Sequence, residues 1–192
     1  MTNPRRTYIM RASRENGTDP SRRCPDMDDA LFAAREKLKD VTPLKRDCGR
    51  ICGARCCRSL EGEETGMLLF PGEAEEYRGK PGWKVLEGGA GELAVCPGTC
   101  ERDDRPLSCR MFPLLPRIRA AGVSAGVDQR AGAVCPLARQ GIRAMDPAFA
   151  DAVKEAGAIL AADPAQRDFL QKLDAEQQEL KQLKKEWRER HV

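Results

Sequence analysis

The sequence predicts an α+β fold: a small, irregular, cysteine-rich domain with short strands, flanking helices and a charged C-terminal helix. Three observations carry that expectation. Helical periodicity is confined to the two ends of the chain, short apolar runs broken by Gly and Pro fill the middle, and eight of the nine cysteines fall between Cys48 and Cys135. At 192 residues the chain suffices for one ordinary domain with appendages and is too short for two full cores. Apolar residues make up 41% of it, but many are alanines and the aromatics are only two Trp, two Tyr and five Phe. The volume available to a core is modest, so the fold is expected to need further support.

Residues 1–24 carry Pro4, Gly17, Pro20 and many Arg and Ser without a sustained period, which predicts a flexible basic tail ending at Cys24. Asp26 is a candidate N-cap for a helix over about Met27 to Lys39, where Met27, Ala30, Leu31, Ala34 and Leu38 recur at spacings of three and four. Met67-Leu68-Leu69-Phe70 before Pro71-Gly72, and Trp83-Lys84-Val85-Leu86, read as short strands. Pro113 and Pro116 forbid a regular helix over Met111 to Ile118 and favour extended backbone. Gly88-Gly89-Ala90-Gly91 lacks the lysine and the spacing of a nucleotide loop and reads as a turn. Beyond Pro147 the pattern becomes helical, first over about Ala148 to Leu160, then from Pro164 behind a capping Asp163. In the second helix Phe169, Leu173, Leu180, Leu183 and Trp187 form one narrow stripe. It is suited to lying on the domain's own surface or to receiving a protein partner. The expected division is therefore tail 1–24, cysteine-cluster domain 25–145 and C-terminal helical segment 146–192.

Thirty-three Lys and Arg against thirty Asp and Glu leave a net charge of +3, too close to balance to argue for nucleic acid or an anionic membrane. The local acidic run of Glu61, Glu63, Glu64, Glu73, Glu75 and Glu76 reads as a solvated face. No stretch approaches the roughly 20 apolar residues of a membrane span, and the N-terminus lacks the apolar core of a secretory signal. The expectation is a cytoplasmic protein whose cysteines are reduced thiols rather than disulfides.

Those thiols come in two groups. The first is Cys48, Cys52, Cys56 and Cys57; the second is Cys96, Cys100, Cys109 and Cys135. Thiolate is a soft, strongly donating ligand suited to zinc, copper(I) and iron–sulfur clusters. Apparent binding energies of about 10–16 kcal/mol for structural zinc rival the whole stability of a domain. All eight are therefore candidate metal ligands, and metal is expected to organise the cysteine-rich domain. Arg50, Arg55, Arg58, Arg102, Arg105 and Arg110 are at hand to offset the negative charge of several thiolates. Gly49, Gly53 and Gly98 permit tight backbone around sulfur.

Zinc sites usually present C-x2-C pairs, whereas the close pairs here are C-x3-C. Successive side chains also diverge by about 100° on a helix and 180° on a strand, so vicinal Cys56 and Cys57 suit two sites, or two irons of one cluster, better than one small ion. An iron–sulfur cluster of the 4Fe–4S kind is thus the first expectation and zinc the alternative. Cys24, outside both groups, is the expected bystander. Arg55 stands where the third cysteine of a radical-SAM triplet would fall after Cys48 and Cys52.

The two blocks together resemble the YkgJ-like cysteine-cluster family, described as a zinc- or iron-chelating domain with a CxxCxxCC motif. Here that motif is stretched to Cys48-x3-Cys52-x3-Cys56-Cys57, while the downstream hallmark stands as Arg105-Pro106-Leu107-Ser108-Cys109-Arg110-Met111-Phe112-Pro113. The resemblance covers roughly residues 46–140 and implies a metal-chelating role. Flagellin lysine N-methylase looks like a longer relative, which adds a protein-modifying enzyme to the two other expected classes, a redox component and a structural metal-binding module. His191, the single histidine, sits next to the C-terminal residue and argues against a Ser-His-Asp arrangement. Asp103 and Asp104 are acidic neighbours of the cluster, with solvation as their ordinary role.

Overall fold

A computed structural model describes residues 28–58, 66–98 and 100–191. The basic tail, Cys24 and the acidic Glu61, Glu63 and Glu64 lie outside those residues. Among the described residues are seven α-helices and two small antiparallel sheets, an α+β architecture as expected.

Helix α1 (Asp29–Leu38) starts two residues later than expected. Asp28 caps it, its carboxylate accepting from the Ala30 N–H at 2.9 Å. Leu31, Ala34 and Leu38 face inward as their spacing predicts, and Arg35 is buried with them. The last carbonyls of a helix have no partner inside it. Arg102, from a distant loop, donates to the carbonyls of Leu38, Lys39 and Val41 and closes that end.

The main core forms where α1 and the hairpin β4 (Leu114–Arg119) and β5 (Gly122–Val127) pack on α6 (Pro147–Ala162), with the start of α7 (Pro164–Arg190) against the same group. Asp146 and Asp163 cap α6 and α7, and Pro147 and Pro164 occupy their first turns. Extended chain begins at Leu114, beyond the cis Phe112–Pro113 bond. Leu107–Met111 instead forms a short helix, α4. The prolines constrain their own positions and the residue before each, so Met111 is free to end a helix.

The second sheet has the order β1-β3-β2, with β1 at Met67–Leu68, β2 at Lys84–Gly88 and β3 at Gly91–Val95. The glycine-rich stretch is the β2–β3 hairpin turn, Gly88 pairing with Gly91. β1 is shorter than the apolar run that predicts it, although the Leu69 N–H still donates to the Glu92 carbonyl at 2.8 Å. The short helix α3 (Ala74–Tyr77) builds a satellite core of Leu69, Ala74, Tyr77 and Ala94 with Trp83 and Val85. Neither apolar cluster includes a cysteine.

The stripe on α7 divides in two. Phe169 and Leu173 are buried, Phe169 meeting Phe70 edge-on at 5.0 Å. Polar side chains fix the same half: Gln166 donates to the Pro71 carbonyl, Asp174 accepts from Arg117 and Arg119, and Gln177 bridges Asp128 and the Gln129 N–H. Further on, Leu183 and Trp187 are more than half exposed, and His191 stacks on Trp187. No helix of the described residues is long and apolar enough to cross a membrane.

Two predictions follow from this packing. A Cβ at Gly157 of α6 would lie 2.4 Å from the Pro116 Cβ and 2.9 Å from the Val123 Cγ1. Gly157→Ala is therefore expected to lower stability by about 1–3 kcal/mol, despite alanine's better helix propensity, because helix and hairpin must separate; chemical denaturation measures it. Burial pushes the Asp174 carboxyl up, but the Arg119 and Gln178 hydrogen bonds and the Arg119 and Arg117 charges outweigh it and hold it below its ordinary value. Its contribution is complete above the unfolded pKa and is lost as pH falls through the lower folded one. Asp174→Asn should cost about 1–3 kcal/mol at neutral pH. The gap in Tm between variant and wild type should close as the pH is taken below about 4.

Candidate metal centre

The local chain explains how each cysteine is presented. Cys48 stands at the N-cap of α2 (Gly49–Cys52) and Cys52 at its end, four residues on and thus on the same face. Asp47 supports that turn by accepting from the Gly49 N–H at 3.0 Å. Gly53 and Ala54 then take left-handed backbone, φ +65° and +52°, which reverses the chain into a single 3-10 turn, Arg55–Cys57. For alanine that conformation costs about 1–2 kcal/mol. Cys96 follows β3, and Cys100 comes after Gly98 at φ +87°. In α4, Leu107 and Met111 are anchored in the main core with Cys109 between them. Cys135 is the N-cap of the short helix α5 (Pro136–Gln140).

These elements bring the two sequence groups together. Burial pushes the Cys48 thiol up, and so do the charges of Cys52, Asp47 and Cys135. Burial likewise raises Cys109 well above the ordinary range, reinforced by Cys57, Cys100 and Cys96. Cys56 is raised by its hydrogen bond with Cys57, then by burial and by the charges of Cys57, Cys109 and Cys48. Cys57 is lowered, because that bond and the Arg105 charge outweigh burial. Thiols from both stretches of chain thus lie near enough for charge on Cys135 to act on Cys48 and for charge on Cys57 to act on Cys100 and Cys109. As the side chains stand, no three His, Cys, Asp or Glu residues among those described form a ready metal-binding group. The thiols are neighbours without being closed on a common point. A hollow of about 450 Å³ opens beside Cys57 and Cys96, with Arg58 and Lys84 on its wall.

The vicinal pair departs from the sequence expectation. Cys56 and Cys57 sit in a 3-10 turn, whose step of about 120° per residue also separates successive side chains, yet their sulfurs are 3.9 Å apart. Among the arginines, Arg110 donates to the carbonyls of Asp103 and Arg105. The neighbouring Arg105 guanidinium pulls the Cys100 thiol down against a larger upward push from burial. Asp104 accepts from Lys80 at 2.7 Å, so its role is an ion pair at the edge of the satellite core.

Glu73 corrects another expectation. It was counted with a solvated acidic face, yet it is 1% exposed. Its carboxylate accepts from Arg35 at 2.7 Å, from the Phe70 N–H at 2.8 Å and from the Leu107 N–H at 2.9 Å. The last of these caps the start of α4, the helix that carries Cys109. Ser108 adds a bond to the Leu68 carbonyl. Arg35, whose charge is disfavoured by burial but favoured more strongly by Glu73, Tyr77 and Glu76, completes the network. The sequence signal was available in part: Arg35 falls on the buried stripe of α1, which asks for a buried anion.

Glu73→Ala should cost about 3–5 kcal/mol, since it removes one of the two carboxylates that pair the buried Arg35 and leaves the Phe70 and Leu107 N–H groups without their acceptor. It should also speed alkylation of Cys109 relative to Cys52 as α4 loosens, read by mass spectrometry of a brief thiol-labelling pulse. No protein-family model, no curated protein and no solved structure matches this chain.

Proposed function

We propose that this chain is a cytoplasmic metal-binding protein that carries an iron–sulfur cluster on cysteine thiolates and serves a redox or protein-partner role. The carrying observation is that thiols from two distant stretches share one neighbourhood: charge on Cys135 acts on Cys48, charge on Cys57 acts on Cys100 and Cys109, and the Cys56 and Cys57 sulfurs are 3.9 Å apart. Like charges so placed cannot all ionise alone, and a multivalent cation relieves the repulsion. The donor chemistry fits such a group: soft sulfur only, on turns and helix ends, with a cation among them. An iron–sulfur cluster would supply one-electron chemistry when bound. The chain's own residues hold the ligands: α2 and the Gly53–Ala54 reversal aim the first group, and the Glu73-capped α4 aims Cys109. The YkgJ-like resemblance rests on the two sequence blocks, and the exposed Leu183–Trp187 end of α7 is the surface proposed for a protein partner.

One distance is compatible with zinc, the second reading. Two sulfurs on a single tetrahedral zinc, at Zn–S distances of about 2.3 Å, lie about 3.8 Å apart. The 3.9 Å between Cys56 and Cys57 matches that, and equally suits one iron with two cysteine ligands. In either case metal would organise the cysteine-bearing loops, since both apolar clusters form without them.

Anaerobic purification tests the reading. Brown protein with iron and acid-labile sulfide in proportion is the expected result; colourless protein with stoichiometric zinc replaces the cluster by the zinc reading. A chain that retains neither, and takes up neither on anaerobic reconstitution, overturns metal binding altogether. Cys57→Ser and Cys109→Ser should each cut metal content by more than half, while far-UV circular dichroism keeps its helical signal.

A further inference from the structure

The two thiol groups are held in different ways. From Asp47 to Arg58, the arm that carries Cys48, Cys52, Cys56 and Cys57, no residue is buried. Its hydrogen bonds close within it: the Gly49 N–H donates to the Asp47 carboxylate, those of Ile51 and Cys52 to the Cys48 carbonyl, and those of Ala54, Cys57 and Arg58 to carbonyls three to five residues back. Among the described residues no hydrogen bond or ion pair joins the arm to the rest of the chain, and neither apolar cluster includes or borders any of its residues. Ile51, its one large aliphatic side chain, is 60% exposed.

The second group is fastened from several sides. Leu107 and Met111 set α4, and with it Cys109, in the main core, and Glu73 holds its first N–H. The loop between Cys100 and Cys109 is tied at Asp104, whose carbonyl accepts from the Tyr77 hydroxyl at 3.1 Å and whose carboxylate accepts from Lys80 at 2.7 Å. Arg102 binds the same loop to the end of α1. The Cys135 N–H donates at 2.8 Å to the carbonyl of Ala131, a buried residue. As the side chains stand, no three of the described thiols form a closed metal-binding group, so sharing one ion between the groups requires one to shift towards the other. Shifting the second group breaks its bonds to Tyr77, Lys80 and Glu73 and disturbs the core, whereas shifting the arm breaks none of these. The arm also leaves the scaffold from a fixed point, since the Pro43 carbonyl accepts from the Asp146 N–H at 2.9 Å.

We propose that residues 47–58 form a metal-latched strap: loose on the scaffold without metal, and drawn onto the fixed second group when thiolates of both share an ion. This rests on the metal reading above. The centre is thereby asymmetric, with a preformed half that meets the ion first and a strap that completes the ligand set. Part of the binding free energy goes into ordering the strap, so metal binding and local folding are one event. The strap's three exposed arginines, Arg50, Arg55 and Arg58, move with it, so the position of that positive surface follows occupancy.

The test is hydrogen exchange read by mass spectrometry on the full reduced chain, metal-free and then loaded, either with Zn²⁺ or with iron and sulfide reconstituted anaerobically. Opening that breaks the site is suppressed by one plus the ratio of free ion to Kd, so with Zn²⁺ at about 100 times its Kd the amides of Ile51, Cys52, Ala54, Cys57 and Arg58 should slow by up to about 100-fold. The amides of Arg110 and Phe112, bonded through α4, should be protected already without metal and change by less than about twofold. Ile51→Asp should leave the Tm of the metal-free chain unchanged, because that side chain belongs to neither apolar cluster. Strap amides as protected as those of α4 in the metal-free chain overturn the proposal, as does a fall in Tm from Ile51→Asp; both leave the metal reading standing. Bound metal that leaves the strap's exchange unchanged, or slows α4 as much as the strap, overturns it too. A chain that takes up neither Zn²⁺ nor iron and sulfide overturns the metal reading and the strap with it.

Discussion

The carboxylate of Glu73 joins parts of the molecule that the chain keeps far apart. It takes the Arg35 guanidinium from α1, the Phe70 N–H from its own turn and the Leu107 N–H from the start of α4. A buried ion pair alone is a weak source of stability, since desolvation of both charges offsets much of their attraction. Here the anion also satisfies two backbone donors, so its removal would leave the buried Arg35 with Glu76 as its remaining carboxylate and two N–H groups unpaired in a low-dielectric setting. What the arrangement supplies is position. Helix α4 cannot slide without breaking the bond at its first residue, and Cys109, Arg110 and the Arg105 turn move with it.

The scaffold and the thiols are physically separate. Leu107 and Met111 belong to the main apolar cluster while Cys109, between them, belongs to the thiol set, so a helix of five residues has one side in the core and the other at the centre. The arginines follow the same division. Arg102 closes α1 and Arg110 binds the loop carbonyls, whereas the Arg105 charge acts on the Cys48, Cys57 and Cys100 thiols. Burial opposes the Arg105 charge, but the neighbouring Cys100, Cys57 and Asp47 outweigh it and raise its pKa.

Much of this was legible in the sequence where the signal is local. Asp163-Pro164 marks the start of α7 because cap and first-turn preferences need only adjacent residues, and the α1 face shows in the spacing of Leu31, Ala34 and Leu38. The eight cysteines stand out as candidates by residue type. What the sequence hides depends on long-range contact: Glu73 looks like its acidic neighbours until Arg35 and Leu107 arrive from 38 and 34 residues away. The 3.9 Å approach of the Cys56 and Cys57 sulfurs was equally hidden, as was the left-handed backbone of Ala54 just upstream. The stripe on α7 has one sequence pattern and two environments, and only the reach of the hairpin and the Asp128–Gln177 contact decides where burial stops.

A thiol set at the edge of a finished core has a consequence for its chemistry. Were the cysteines part of the apolar cluster, losing a ligand would open a cavity and unfold the helices. Because they lie outside that cluster, on turns, helix ends and the short α4, with burial raising most of the perturbed thiols, the cysteine region could change protonation, or take up the proposed metal, while α1, α6 and the β4–β5 hairpin keep their packing. The left-handed Ala54 fits that division. Strain of about 1–2 kcal/mol is tolerable in a turn whose geometry a bound ion would fix and which the core does not need. The apolar packing of the fold is thereby concentrated in the helical layer, and the proposed binding would fall to the loops that the layer holds in register.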